Sequence, residues 1–196
     1  MREVLDLTLA QAKQKLLEIV NTKAVFKGDF TLSSGQKSTY YIDGKFTSLT
    51  SDGLAFFAKV ILEMIKDDRV GYIGGPTLGA DPLASAVSMW SMLQDDPLDA
   101  FLIRKDAKGH GTSAAIEGLS NLGPDCPVVV LEDVVTTGGS TLRSVARCRE
   151  AELDVLGVIV LVDRQEGGRE AIGAEGLELI SLFTRQDFVS VPDTGV

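Results

Sequence analysis

The residues best suited to chemistry lie in one run, Val128-Val-Val-Leu-Glu-Asp-Val-Val-Thr-Thr-Gly-Gly-Ser-Thr141. Four apolar residues read as a buried strand, Glu132 and Asp133 follow it, and the small residues from Thr136 onward form a turn that opens a helix. Gly138 and Gly139 let the backbone approach a ligand closely and adopt conformations closed to residues with a side chain. Thr136, Thr137, Ser140 and Thr141 add hydroxyl donors, and free amides at a helix start favour a phosphate. Two carboxylates beside an anion need a different task. They accept hydrogen bonds from ribose hydroxyls, and they hold Mg²⁺ directly or through water. A sugar phosphate satisfies both halves of the loop at once. The plainer alternative is an ordinary strand–turn–helix junction with a threonine cap.

A second segment, Arg104-Lys-Asp-Ala-Lys-Gly-His-Gly111, gathers three strong cations and the single histidine of the chain. A charge run of this kind is often a solvated surface loop. Here Gly109 and Gly111 flank His110, as suits a hinged lid. A basic lid excludes water and brings cations to a departing diphosphate.

These loops need a scaffold. Residues 8–22 and 52–68 have helical periodicity, with Leu9, Ala12, Leu16 and Ile19 on one stripe and Leu54, Phe57, Ile61 and Ile65 on another. Asp52 is the expected cap of the second helix. Residues 30–41, rich in Ser, Thr, Gly and Tyr, read as a turn leading into an irregular strand. From residue 70, apolar runs at 70–73, 100–103, 128–131, 155–162 and 179–183 alternate with helical stretches near 80–93, 139–151 and 167–175. Continuous apolar strands separated by helices indicate a parallel sheet covered on both faces. Ligands collect at the carboxyl ends of such strands. Three unusual exits, 74–81, 104–112 and 132–141, therefore fall on one edge of the sheet. Residues 191–196 are expected to be loose.

The bulk composition narrows the partners. The chain has 196 residues and a formal charge of −9, so its overall field repels polyanions and argues against non-specific nucleic-acid binding. Cys126 and Cys148 have neither metal-ligand spacing nor a disulfide framework, and read as reduced thiols. The start of the chain carries charges where a signal peptide needs an apolar core, and no apolar run approaches the roughly 18 to 20 residues of a membrane span. Cytoplasm is the expected compartment.

On four segments spread over nearly the whole chain, the sequence resembles the orotate phosphoribosyltransferases of the type I phosphoribosyltransferase family. The segments are Phe30-Thr-Leu-Ser-Ser-Gly-Gln-Lys-Ser-Thr-Tyr-Tyr41, the 104–111 loop, the 132–141 loop and Asp163-Arg-Gln-Glu-Gly-Gly168. The third marks the wider family; the second and fourth together point to the orotate enzymes within it. The resemblance implies an α/β fold: a central, mostly parallel sheet with helices on both faces, and a small N-terminal hood. The whole of 1–196 would be one domain, with the hood at 1–45 and the core at 70–185.

The resemblance also implies roles. Glu132 and Asp133 would hold the ribose hydroxyls, the turn Thr136, Thr137, Gly138, Gly139 and Ser140 would take the 5-phosphate, and Val134 and Val135 would also belong to the phosphoribosyl-diphosphate site. Arg104, Lys105, Lys108 and His110 would bind the diphosphate. Lys105, Lys108, His110 and Asp133 would be the catalytic residues, and Thr136 and Arg164 would contact orotate. Mg²⁺ would be held through the substrate's diphosphate and ribose, with Glu132 and Asp133 as direct or water-mediated ligands. Family members are typically homodimers in which the basic loop reaches into the partner's site.

Some readings stay open at this stage. Arg164 alone, after Val160-Leu-Val-Asp163, would more often be a strand-end salt bridge. Tyr40 and Tyr41 could stack on a base or simply pack. Many family members carry Lys at the positions of Ser33 and, in some, Gly79; both cations are absent here. Rival functions are a phosphoribosyltransferase for another nucleobase and a non-catalytic sensor of phosphoribosyl diphosphate. A plain dinucleotide-binding domain would need a Gly-x-Gly-x-x-Gly turn after its first strand, which the chain lacks.

Overall fold

The computed structural model describes residues 2–31, 37–66, 68–105 and 115–189. The chain begins with a short helix, α1 (Arg2–Leu5), and a longer one, α2 (Leu9–Lys23). Thr8 and Gln11 close a reciprocal capping box that starts α2. An antiparallel hairpin follows, β1 (Val25–Thr31) and β2 (Lys37–Ile42), then a one-turn helix α3 (Lys45–Ser48) and the helix α4 (Ser51–Ile65).

The main body runs β3 (Tyr72–Pro76), α5 (Asp81–Met92), β4 (Asp99–Ile103), β5 (Ile116–Glu117), β6 (Pro127–Val135), α6 (Gly139–Glu150), β7 (Asp154–Asp163), α7 (Gly168–Ala174), β8 (Leu179–Thr184) and α8 (Gln186–Val189). Six of its strands form one sheet in the order β5-β4-β3-β6-β7-β8. All neighbours are parallel except β5, which runs against β4 at the edge. The order reverses direction between β3 and β6, which places the topological switch point, where doubly wound sheets bind ligands, directly beside the end of β6.

Alternating side chains of β6 explain why its sequence is apolar without a break. Val129 and Leu131 face a core built with α2, α4 and α5, including Leu16, Phe57, Ile61 and Leu83. Val128 and Val130 face a second core with Val145 and Cys148 of α6 and Ile172 of α7. Both faces are covered, so neither can be polar.

Four local readings change. The cap of α4 is Thr50, whose hydroxyl accepts from the Gly53 N–H at 3.3 Å. Asp52 lies inside the first turn and instead pairs with Lys23 of α2 at 2.7 Å. That helix stops at Ile65 because Lys66-Asp-Asp-Arg69 offers no apolar side chain to bury. The sheet's strands β6 and β7 run past their apolar stretches, so Glu132, Asp133 and Asp163 belong to strands rather than to the turns after them. The hairpin's first strand escaped the sequence because Val25–Thr31 is mostly exposed and carries little apolar alternation. Ser33 and residues 191–196 lie outside the described residues.

No helix among the described residues is long and apolar enough to cross a membrane. Both cysteines are free thiols. Cys148 is fully buried in α6, and burial pushes its thiol up to about 12; Cys126 is half-buried. A thiol reagent such as 5,5′-dithiobis(2-nitrobenzoate) is therefore expected to titrate one equivalent in the native protein, at Cys126, and the second only on unfolding. Rapid release of two equivalents from folded protein would contradict this packing.

Candidate active site

The end of β6 carries the acid pair, and the turn after it carries the anion cradle. Gly138 has φ +81° and starts α6 with no side-chain cap. The threonine-capped junction considered from the sequence is therefore not what forms. The first-turn amides of α6 are left open to an external acceptor, at the positive end of a 12-residue helix. Thr137 and Ser140 are exposed around this opening, while Gly138 is buried beneath it.

Gly138 sits there because another glycine lets it. A Cβ built on Gly168, at the start of α7, would lie 2.4 Å from Val135 Cγ1 and 2.6 Å from the Thr136 carbonyl oxygen. Gly168, the last residue of Asp163-Arg-Gln-Glu-Gly-Gly168, thus supports the phosphate loop from below. Gly168→Ala should overpack this contact at about 1–3 kcal/mol. The expected readouts are a lowered melting temperature and weaker binding of a sugar phosphate, by thermal unfolding and calorimetry. Unchanged values in both would show that the loop does not rest on Gly168.

The two carboxyls interact with each other but differ in their other neighbours. Asp133 lines a cavity of about 410 Å³ with Thr31, Tyr41, Lys45, Thr136 and Arg164 among its walls. Glu132 is 5% exposed and turns toward the loop's hydroxyls, with Thr141 Oγ1 donating at 3.3 Å and Ser140 Oγ at the limit of 3.5 Å. Burial first, then the neighbouring Asp133 charge, pushes Glu132 up to about 8. Burial also raises Asp133, against the opposing pull of the Val134 N–H and the Lys45 charge.

Two backbone segments pinch the Asp133 side chain. A Cβ on Gly44, at the corner before α3, would meet Asp133 Cβ at 2.8 Å and Oδ2 at 3.0 Å. A Cβ on Gly79, in the exit of β3, would meet Oδ1 at 2.5 Å. Any side chain at position 79 would therefore displace the carboxylate, so this site has no room for a lysine there as it stands.

Arg164 follows β7 and is 5% exposed. Its backbone N–H bonds to the Val135 carbonyl at 2.9 Å, tying it to the acid strand. Nη2 lies 2.8 Å from Glu166 Oε1, a strand-end ion pair of the kind the sequence suggested. That approach lacks hydrogen-bond alignment, so Nε and Nη2 remain without a hydrogen-bond acceptor among the described residues. A buried guanidinium beside a cavity, with Nε unaccepted and Nη2 met only by the Glu166 ion pair, can offer a fork to a planar carboxylate.

Both tyrosines pack against neighbouring side chains. Tyr41 lines the cavity and stacks at 5.6 Å on Phe30. Tyr40 packs against the core under Arg185, 5.7 Å from its ring centroid.

The basic loop leaves β4 and returns through β5. Arg147 of α6 donates to the carbonyls of Arg104 and Lys105, the second at 2.7 Å, and the Arg104 N–H bonds Ala115 across the loop's neck. The helix that opens with the phosphate turn thus also fixes the root of the loop. The Arg104 guanidinium pairs with Glu117 at 2.6 Å, and Lys105 is exposed. Lys108, His110 and the two glycines lie outside the described residues. Lys45, Gly44, Asp43 and Arg147 were not singled out from the sequence. Asp43-Gly44-Lys45 follows the tyrosine segment by one residue, which was the available signal.

Among the described residues, no three His, Cys, Asp or Glu side chains converge on a metal position. The donor set present, one or two carboxylates beside a phosphate cradle, suits Mg²⁺ brought in by phosphate oxygens and not a protein-only cage.

The arrangement as a whole, a parallel sheet with an acid pair and glycine turn at its switch point under a small N-terminal hairpin, is that of a type I phosphoribosyltransferase. No family model matches the chain. A curated orotate phosphoribosyltransferase from Synechocystis is 50% identical over 183 residues, covering 93% of this chain and 91% of that protein. One from Aquifex aeolicus is 44% identical over 174 residues, covering 87% and 94%. A crystal structure of the Mycobacterium tuberculosis orotate phosphoribosyltransferase in complex with 5-phospho-α-D-ribosyl 1-diphosphate superposes with a TM-score of 0.76 at 34% identity, covering 91% of this chain and 99% of that one. The chain belongs to the orotate phosphoribosyltransferase family.

Proposed function

We infer that the chain transfers the ribose 5-phosphate of phosphoribosyl diphosphate to orotate, giving orotidine 5′-phosphate and pyrophosphate in the synthesis of pyrimidine nucleotides. The observation that carries this reading is one cavity that joins Asp133, Thr136 of the phosphate turn and the buried guanidinium of Arg164. Its wall offers a carboxylate for sugar hydroxyls beside a guanidinium for a planar carboxylate.

The turn 136–140 takes the 5-phosphate on the open amides of α6. Asp133, with Glu132 behind it, accepts from the ribose hydroxyls. Thr136 and Arg164 hold orotate so that its ring nitrogen faces the anomeric carbon. Substitution there passes through an oxocarbenium-like state, as in glycoside transfer. Orotate supplies the nucleophile, so the protein's task is to position both reactants and to exclude water. Arg104, Lys105, Lys108 and His110 are the residues assigned to the departing diphosphate. Asp133, with Glu132 behind it, would help to hold a substrate-bound Mg²⁺, which would supply charge neutralisation for the leaving group. We assign the protein to the cytoplasm as a homodimer in which residues 104–111 serve the partner's site, with no nucleic-acid or membrane partner.

The test is direct. Enzyme, Mg²⁺ and phosphoribosyl diphosphate are mixed separately with orotate, uracil, hypoxanthine and adenine. Loss of orotate absorbance with pyrophosphate release supports the reading, and turnover of another base in its place rejects it. Within the reaction, Lys108→Ala should lower kcat by about 100-fold or more, because it removes a cation needed most as charge develops. Binding of the ribose phosphate should change far less. Equal losses in steady-state kinetics and calorimetry would contradict a lid role for Lys108.

A further inference from the structure

The cavity that holds Asp133 has a second cation besides Arg164. Lys45 is the first residue of α3, directly after the glycine corner that presses on Asp133, so its backbone position is set by the acid itself. Its ammonium lies 2.7 Å from Asp43 Oδ1, and its side chain is 50% exposed. An ion pair this exposed to water is weak and exchanges easily for a stronger anion. The Asp43 carboxylate, and beyond it the charge of Asp133, keep the ammonium charged above its usual range.

Lys45 also borders a second cavity of about 420 Å³, shared with Ser48, Leu78 and Asp81. Asp81 Oδ1 has no hydrogen-bond partner among the described residues, and burial raises its carboxyl. That side is apolar and acidic, and unsuited to a bare anion. The place for an anion beside Lys45 is the Asp133 side. There the lining residues carry two acids, Asp43 and Asp133, against two cations, Lys45 and Arg164. Arg164 is committed to Glu166 and to the acceptor's carboxylate. A polyanionic sugar diphosphate entering this cavity meets Lys45 as the remaining described cation of the wall.

We propose that Lys45 is a substrate-binding residue for the phosphoribosyl diphosphate, and that its ammonium leaves the Asp43 carboxylate for a diphosphate oxygen when the substrate enters. Asp43 is then the counter-ion that keeps the lysine aligned in the empty site. This rests on the functional reading above and deepens it, because neither the 5-phosphate turn nor the basic loop contains Lys45.

The experiment uses the full-length enzyme with three variants, Lys45→Met, Lys45→Arg and Asp43→Asn, and Arg164→Met as a control. Calorimetry reports the Kd of the Mg²⁺ complex of phosphoribosyl diphosphate, and steady-state kinetics report KM for both substrates. A charged hydrogen bond of this kind corresponds to about 10- to 100-fold in Kd. Lys45→Met should show that loss for the diphosphate substrate, with KM for orotate little changed. Lys45→Arg should restore most of the affinity, and Asp43→Asn should not weaken it. A Kd for Lys45→Met equal to the parent's, or an arginine variant as weak as the methionine one, would overturn the proposal. If Arg164→Met still lost orotate in that case, the functional reading would stand while the role of Lys45 fell. A parent enzyme that ignores orotate would remove both.

Discussion

Replacing Arg164 with methionine should lower kcat/KM for orotate by about 10²- to 10⁴-fold, from two charged hydrogen bonds lost at once. Binding of phosphoribosyl diphosphate should stay within a few fold, since Arg164 lies on the acceptor side of Asp133. The guanidinium is 5% exposed, its Nε has no hydrogen-bond acceptor among the described residues and its Nη2 meets only the Glu166 ion pair, so a ligand carboxylate would complete the buried fork. Methionine fills similar apolar volume without those donors, and leaves Glu166, which is part-exposed, able to reach water. The Arg164→Lys variant should recover little, because a single ammonium cannot match a planar carboxylate at two points. Initial rates at varied orotate, with calorimetry for the diphosphate substrate, separate the effects. A methionine variant with unchanged orotate KM and kcat would return Arg164 to the plain strand-end ion pair.

The acid pair gives the second large effect, and its sign is unusual. A carboxyl whose folded value is raised binds its proton more tightly in the native state than in the unfolded chain. Its favourable contribution is therefore complete below its ordinary value of 4.5 and is lost as pH rises through about 8. Between those limits the ligand-free protein should become less stable, measured by denaturant unfolding at a series of pH values. Glu132→Gln removes the titration, so it should flatten that slope and raise the melting temperature at pH 8. A gain of about 1 kcal/mol would appear as about 2–4 °C for a chain of this size. The same variant should weaken binding of Mg²⁺-phosphoribosyl diphosphate by about 100-fold, as should Asp133→Asn, which removes the acid in the cavity itself. Stability gained with binding lost is the signature of a site held against the preference of its own fold. A Glu132→Gln variant that is destabilised at pH 8, or binds as well as the parent, would refute this assignment.

Much of this was legible in the sequence, for physical reasons. Val128 to Leu131 is apolar without alternation because both faces of β6 are covered, and that pattern alone implies a parallel sheet. The glycine turn could be placed because Gly138 needs a positive φ that other residues avoid. Other features were hidden. Thr50 rather than Asp52 caps α4, since an acid one turn in is equally attractive to the sequence pattern but pairs with Lys23. The separate fates of Glu132 and Asp133 follow from strand alternation, which sends one carboxylate beneath the loop and the other into the cavity. Arg147 gave no sign of its role, because a basic residue late in a helix ordinarily only complements the dipole. Gly44 and Gly79 lie 35 residues apart, and only the fold brings both against Asp133.

A crystal of the enzyme soaked with Mg²⁺ and phosphoribosyl diphosphate puts the cradle itself to the question. Density for the 5-phosphate is expected on the amides of residues 136–140, with the ribose hydroxyls facing Asp133. Full occupancy at another place, with the turn and the acid pair empty, would contradict the reading from which the rest follows.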